Sequence, residues 1–154
     1  MNVFVSYSFN DSELYLLSLL LKKLRIQGHH VTTSDVYFEN NEFNISNSDL
    51  FLGIVTNDSE SINEVVTEWQ LAKNHGVRSI LLVEEGVNLN GNTVEHIRFN
   101  RHNSEPAINE LFGEARKPSK KSKKSDDLSD ALVGAGIIVG IAALIALLAG
   151  GGKK

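Results

Sequence analysis

The hydrophobic positions of this chain form short continuous runs that alternate with segments of helical spacing. Apolar runs at residues 3–6, 50–56 and 79–83 (VFVS, LFLGIVT and SILLV) predict buried strands. The middle run is apolar on both faces, as expected of a central parallel strand. Shorter runs at residues 30–34 and 96–99 predict two further strands.

Helical spacing is clearest directly after the first strand. Asn10, followed three residues later by Glu13, forms a capping-box arrangement that predicts the start of a helix. Gly28 is expected to end that helix, because glycine accepts the left-handed conformation common at helix ends. The apolar face of the helix is made of leucines: Leu14, Leu17, Leu20, Leu21 and Leu24.

A second long helix is predicted after the central strand. Ser61 and Glu64 repeat the capping-box spacing, and the helix should continue to about Asn74. Shorter helices around residues 42–47 and 105–112 complete an alternation of strand and helix. This order predicts an α/β domain in which a parallel sheet of about five strands is flanked by helices on both faces.

The C-terminal part of the chain has a different pattern. Residues 131–152 contain no charged residue, no Asn or Gln and no proline. A helix of this length would reach ~33 Å, and a bilayer core is ~30 Å thick, so a single transmembrane helix is predicted. Within it, Gly136 and Gly140 form a G-x-x-x-G pair that predicts a helix-packing face in the membrane.

The distribution of charge divides the chain into three parts. Residues 1–115, the predicted domain, carry 7 Lys or Arg and 16 Asp or Glu, a formal charge of −9 that argues against a nucleic-acid partner. Residues 116–130 form a polar linker with 6 Lys or Arg and 3 Asp. By the positive-inside rule, this basic linker predicts that the domain faces the cytoplasm and that the tail anchors it to a membrane.

The absence of cysteine and the spacing of the histidines exclude further classes of functional site. The sequence has no cysteine, which excludes disulfides, thiolate zinc sites and thiol catalysis. His29 and His30 are adjacent, a poor spacing for one metal ion, so we expect no metal. The first residues lack the basic and apolar regions of a signal peptide, so we do not expect secretion.

Two polar segments follow strands whose carboxyl ends should form a ligand-binding edge, at residues 6–11 and 56–61. The second segment leads into the helix that carries Glu64 and Glu68. Carboxylates four residues apart on a helix disfavour each other's ionisation, which is a hint of a functional site. From spacing alone, however, the simpler interpretation is strongly favoured, in which Glu64 is a capping residue and Glu68 a solvated surface glutamate.

Three segments of the soluble part resemble TIR (Toll/interleukin-1 receptor) domains of the prokaryotic type. VFVSYSFNDSE is similar to the first characteristic box of that family, and ISNSDLFLGIVTNDSESINEVVTEWQLA to its central strand and following helix. The spacing continues through GVRSILLVEEGV, so the resemblance covers about residues 2–112. It implies a flavodoxin-like fold and a role in signalling or immunity.

Enzymatic TIR domains cleave the nicotinamide–ribose bond of NAD with a helix glutamate, and the resemblance implies that Glu68 is this catalytic residue. The activity would be that of an NAD glycohydrolase or an NAD-derived nucleotide cyclase, with NAD as substrate and no cofactor or metal. Nicotinamide leaves as a neutral molecule, so one carboxylate beside the developing oxocarbenium ion suffices. The residues expected to bind substrate are Tyr7, Ser8, Asp11, Ser59 and Glu64.

Other functions stay open at this point. Glu64 stands where many TIR helices carry tryptophan, and the connection at residues 35–47 lacks the glycine usual in TIR assembly loops. Both features favour a non-enzymatic module that assembles with other TIR domains or with copies of itself. A bilayer-disrupting tail and a nucleoside deoxyribosyltransferase-like enzyme are more distant alternatives.

Overall fold

Five parallel strands form the centre of the molecule. The structure is a computed structural model that describes residues 1–11, 14–34, 41–89 and 94–113. The strands are β1 (Asn2–Ser6), β2 (His30–Thr33), β3 (Leu50–Val55), β4 (Arg78–Glu84) and β5 (His96–Phe99). The helices are α1 (Tyr15–Ile26), α2 (Asn41–Ser46), α3 (Ser59–Asn74) and α4 (Glu105–Leu111).

The strand order in the sheet is β2-β1-β3-β4-β5, and each neighbouring pair is parallel. This order is typical of flavodoxin-like sheets, in which the chain direction across the sheet reverses between β1 and β3. The predicted α/β class with a five-stranded parallel sheet is therefore confirmed. Ligands of such sheets bind beyond the carboxyl ends of the strands near that reversal.

Two helical layers cover the sheet. On one face, α1 and α4 pack on alternate strand residues such as Val3 and Leu52, which are completely or almost completely buried. On the other face, Ile45 of α2 and Trp69 of α3 pack on residues that include Phe51. Successive side chains of a strand point to opposite faces of the sheet. Strands that are apolar at every position therefore contribute side chains to the core beneath both helical layers.

Gly53 in β3 allows α3 to pack unusually close to the sheet. A Cβ atom at this position would lie 2.6 Å from Leu81 Cδ2 and 2.7 Å from Val65 Cγ1. Both separations are shorter than real carbon contacts, so only glycine leaves room for the Val65 side chain of α3. The close contact fixes the depth at which α3 holds its remaining side chains.

The predicted helix starts were wrong. Leu14 precedes α1 without a side-chain cap, and Asn10 lies in a short 3-10 turn (Phe9–Asp11). Helix α3 begins two residues before Ser61, because the Asp58 carboxylate accepts the Glu60 N–H over 2.9 Å and caps the helix there. Aspartate caps a helix as well as serine does, so the chain starts α3 at the earlier of two suitable positions.

The predicted membrane anchor lies in the part of the chain that the structure does not describe. The linker at 116–130 and the apolar segment at 131–152, with Gly136 and Gly140, lie outside the described residues. Within the described ranges, no helix is both long enough and apolar enough to cross a bilayer.

Candidate active site

Glu68 lies on α3 in a buried position beside the carboxyl ends of β1 and β2. Only 6% of its surface is exposed, which is unusual for a charged side chain. Val65 and Trp69 of the same helix are buried in the core and hold α3 against the sheet. The carboxylate is therefore placed by the packing of a long helix and not by a surface loop.

Two side chains from other elements bind the carboxylate. The hydroxyl of Ser34, which follows β2, donates a hydrogen bond to Glu68 Oε2 over 3.0 Å. The side-chain amide of Asn41, at the start of α2, donates to Oε1 over 3.3 Å. Ser34 Oγ also accepts the backbone N–H of Tyr7 over 3.3 Å, which connects the loop after β1 to the same group. Glu68 is thus held in one orientation.

Burial raises the pKa of Glu68 above its ordinary value, because desolvation disfavours the charged carboxylate. The negative charge of Glu64 raises this pKa further, while the hydroxyls of Ser6 and Ser34 and the amide of Asn41 lower it. The Ser6 hydroxyl lowers this pKa as a hydrogen-bond donor does, although its contact with Glu68 falls outside strict hydrogen-bond geometry. Perturbed carboxylates of this kind are common at functional sites.

Two buried hydroxyl groups near the end of β1 lack hydrogen-bond partners. Ser6 and Ser8 are each 1% exposed, and neither Oγ atom has a partner within the part of the chain that the structure describes. Buried polar atoms are almost always hydrogen-bonded to protein, water or ligand. Ser6 lies beside the Glu68 carboxylate, toward which its hydroxyl acts as a weak donor.

An open cavity of about 400 Å³ adjoins Glu68, between α2 and α3. Besides Glu68, its lining residues are Asn41, Glu42, Asn63, Glu64, Thr67 and Leu71. Among the residues that the structure describes, the lining therefore contains three carboxylates and neither lysine nor arginine. Glu42 has a partner in His75, whose Nε2 lies 3.2 Å from Glu42 Oε1.

The structure brings only some of the predicted site residues together. Glu64 lines the cavity with Glu68, one helical turn away. Tyr7 reaches the site through its backbone, while its side chain packs on the opposite face of the sheet with α1. The Asp11 carboxylate instead accepts the hydroxyl of buried Thr56, at 2.9 and 3.1 Å. Ser59 is the first residue of α3, and its side chain is not among those that the structure describes.

A second polar cluster lies further along the carboxyl edge of the sheet. Arg101 binds Glu84 with two hydrogen bonds of 2.7 and 3.0 Å, and Asn57 N–H donates to the same carboxylate over 2.9 Å. The Arg101 hydrogen bond is the main cause that lowers the pKa of Glu84, which partial burial opposes. The bidentate pair connects β4 to the turn after β5.

Sequence reasoning did not select Ser34, Asn41 or the Glu84–Arg101 pair as site residues. Ser34 had a weak signal, because it is a polar residue at the end of a predicted strand. Asn41 had none, since its role depends on how α2 packs beside α3. Within the described ranges, no group of three or more His, Asp or Glu side chains is arranged to hold a metal ion.

Comparison with known proteins identifies a solved structure that has the same fold as this chain. No family model matches the sequence, and no curated protein matches it. Among solved structures, the chain is similar to the CMP N-glycosidase BcmB of Clostridium botulinum, with 19% identity, a TM-score of 0.54, and coverage of 71% of this chain and 99% of that one. A second similar structure is CapF with the inhibitor 3-isopropenyl-tropolone (14% identity, TM-score 0.46, coverage 64% and 30%). The likeness to BcmB shows a shared fold.

Proposed function

We propose that this protein cleaves the N-glycosidic bond between a base and ribose, with Glu68 as the catalytic carboxylate. One observation carries the proposal. Glu68 is a buried glutamate, oriented by Ser34 and Asn41, that lines an open cavity between α2 and α3. The fold shared with a protein described as a CMP N-glycosidase supports the same class of reaction.

The reaction needs a negative charge beside the sugar. As the bond from C1′ to the base nitrogen breaks, its electron pair leaves with the base and C1′ acquires oxocarbenium character. The ionised Glu68 carboxylate, which lines the cavity, stabilises this positive charge. Water then bonds to C1′ and loses a proton. That proton is released when a cationic base such as nicotinamide leaves as a neutral molecule, and it is taken up by the base when the base of a neutral nucleoside leaves as an anion.

NAD is the first substrate to test, since the resemblance to TIR domains implies cleavage of its nicotinamide–ribose bond. The nicotinamide of NAD leaves without needing a proton, which suits a site with one buried carboxylate. We infer that the reaction takes place at the cytoplasmic face of a membrane, because residues 131–152 are long and apolar enough to anchor the chain. Copies of the chain would then be concentrated in one plane, which favours homo-oligomers.

A non-enzymatic module is the second candidate, and exposed aromatic side chains favour it. Phe9 and Phe43 are 70% and 68% exposed. Large exposed aromatics are enriched at protein interfaces, so these two suit contacts with another TIR domain. In this case Glu68 would serve only to connect β2 and α2 to α3.

Nucleotide consumption by the full chain in liposomes distinguishes the two candidates. NAD and CMP would be supplied to the wild type, to Glu68→Gln and to a control variant, Glu85→Gln, at equal protein density. Glu85 is an exposed carboxylate in the turn after β4, so its loss removes one charge without changing the site. We expect consumption by the wild type and the control and none by Glu68→Gln, with circular dichroism confirming that all three fold. Equal consumption by all three, or none by any, would contradict the proposed role of Glu68.

A further inference from the structure

Helix α1 carries apolar side chains on its outward side as well as on the side that packs on the sheet. The inward side consists of four buried leucines: Leu16, Leu17, Leu20 and Leu24. On the outward side, steps of four, three and four residues align one set of side chains along the helix: Tyr15, Leu19, Lys22 and Ile26. Tyr15 and Ile26 are 58% and 73% exposed, and in the described ranges only two other large hydrophobic side chains are exposed. This outward stripe of α1 is therefore open to a partner.

An open groove of about 440 Å³ between α1 and α4 adjoins the outward stripe. Its apolar lining residues are Leu19, Ile26 and Ile108. Its polar lining residues are Lys22, Lys23, Gln27, Glu105 and Asn109. Apolar side chains with lysines beside them are typical of helices that lie in the boundary between lipid headgroups and acyl chains.

Helix α1 is also the most basic element that the structure describes. It carries Lys22, Lys23 and Arg25 and no acidic residue. The side chains of Lys22 and Arg25 are exposed and form no hydrogen bond or ion pair with any described residue. The neighbouring α4 contributes two acidic residues, Glu105 and Glu110, so the layer formed by the two helices remains positive in a domain of formal charge −9. An anionic surface would approach the domain most favourably from this side.

The chain leaves the described domain beside the basic end of α1. Lys23 Nζ lies 5.3 Å from the centroid of the Phe112 ring, and Gly113 is the last described residue. The basic linker begins at Arg116, so it starts within about 11 Å of Gly113. Residues 114–130 can span at most ~60 Å even when fully extended. An anchor at 131–152 would therefore hold the domain close to the bilayer, where even weak contacts become effective.

We propose that the outward stripe of α1 rests on an anionic lipid surface. Tyr15 and Ile26 enter the headgroup region, and Lys22 and Arg25 contact the anionic headgroups. The proposal goes beyond N-glycosidic cleavage, and it rests on the membrane anchor and not on catalysis. Because α1 and α3 cover opposite faces of the sheet, this contact directs the cavity beside Glu68 away from the bilayer.

A fluorescent label on a single cysteine tests the contact, since the native chain has no cysteine. Ser18→Cys places the label on the exposed side of α1 without removing any residue of the stripe. Gln70→Cys is the matched control, because it is exposed near the end of α3 on the opposite face of the sheet. The full chain would be reconstituted in liposomes of phosphatidylcholine and phosphatidylserine that contain a lipid with a nitroxide near its headgroup. We expect the nitroxide to quench the label at residue 18 and not at residue 70.

Charge reversal tests the electrostatic part of the contact. Lys22→Glu should lower the ratio of docked to undocked domain by roughly 30-fold, because each charge near an anionic surface contributes about fivefold and a reversal counts twice. Lys73→Glu makes the same change in net charge on α3 and should leave that ratio within about twofold of its original value. In 1 M salt, or in liposomes without phosphatidylserine, quenching at residue 18 should fall toward that at residue 70.

Several results would overturn the proposal. These are equal quenching at residues 18 and 70, no quenching at residue 18, or equal effects of Lys22→Glu and Lys73→Glu. A label at residue 18 that is shielded from aqueous iodide but not quenched by the lipid, in a manner that depends on protein density, would show that a second copy covers α1 instead. None of these measurements requires turnover, so failure of the proposed N-glycosidic cleavage is distinguishable from failure of this proposal.

Discussion

The Ser34 hydroxyl donates to Glu68 Oε2 over 3.0 Å and accepts the Tyr7 N–H over 3.3 Å, so one side chain joins two strand ends to the candidate catalytic carboxylate. These three residues come from the end of β2, the loop after β1 and the middle of α3. The orientation of Glu68 therefore depends on the sheet order that places β2 beside β1. Removing the hydroxyl should affect both stability and catalysis.

Ser34→Ala should destabilise the fold by about 1–3 kcal/mol, because it deprives a buried carboxylate of one donor. The pKa of Glu68 should rise further, since Ser34 is one of the groups that lower it. The acidic limb of the kcat/KM–pH profile should therefore move to higher pH. Ser79→Ala is a matched control, because that partly buried serine in β4 bonds only a nearby backbone carbonyl. An unchanged profile in Ser34→Ala would contradict the assigned role of Glu68.

Glu68→Gln should change the dependence of stability on pH. The pKa of Glu68 is raised in the folded state, so the folded protein holds this proton more tightly than the unfolded chain. The wild type therefore loses free energy of unfolding as pH rises from about 4.3, the ordinary glutamate value, through the raised pKa. The glutamine variant lacks this loss, so its stability relative to the wild type should increase over that interval.

Urea denaturation of both proteins between pH 4 and pH 8 measures this difference. Subtracting the curves removes the other titrating groups that the two proteins share. Glu85→Gln, which removes an exposed carboxylate, shows how much the loss of any one negative charge contributes. A constant difference between wild type and Glu68→Gln across the interval would show that the folded and unfolded states bind the Glu68 proton equally.

The strands could be predicted from the sequence because their residues are apolar on both faces. The run at 50–56 became β3 (Leu50–Val55), and the run at 96–99 became β5 (His96–Phe99). Helix starts were predicted less well, because several polar residues near each start can cap equally well. Asp58 and Ser61 are both suitable capping residues. The helix starts directly after Asp58, because it can begin as soon as β3 has ended.

Glu68 became a candidate through the resemblance to TIR domains, but its buried environment could not be predicted from the sequence. Its distance along the chain from Ser34 is 34 residues and from Asn41 is 27 residues. These contacts exist because β2 lies beside β1 and α2 packs beside α3, and neither arrangement is visible in local periodicity. The same limit explains Asp11, which was expected at the pocket and is instead bound to Thr56 across the edge of the sheet.

Deleting residues 131–154 should release the protein from membranes. The apolar segment would be the source of membrane affinity, and the basic linker alone attracts anionic lipid only weakly and in a salt-dependent manner. Fractionation at high salt should therefore place the full chain in the membrane pellet and the deletion variant in the supernatant. A full chain that is released by salt would contradict a spanning anchor.

Replacing Gly136 and Gly140 with leucine should preserve membrane attachment while weakening self-association.

Gly53→Ala should destabilise the fold and reduce activity together, although residue 53 does not contact Glu68. The added Cβ would lie 2.7 Å from Val65 Cγ1 and 2.6 Å from Leu81 Cδ2, so α3 or the side chains beneath it must move. Overpacking of this kind costs about 1–3 kcal/mol. Because Val65 and Glu68 are on the same helix, the displacement should also loosen the contacts that Ser34 and Asn41 make with Glu68.

The double variant Gly53→Ala/Val65→Ala tests this mechanism. Removing the Val65 methyl groups relieves the contact with α3 while the contact with Leu81 remains, so the two substitutions should couple. Their combined loss of stability should be smaller than the sum of the single losses by about 0.5–3 kcal/mol, as measured by a double-mutant cycle in urea. Activity should recover in the double variant in parallel with stability. Additive losses would mean that Gly53 does not set the depth of α3, and the position of Glu68 would then need another explanation.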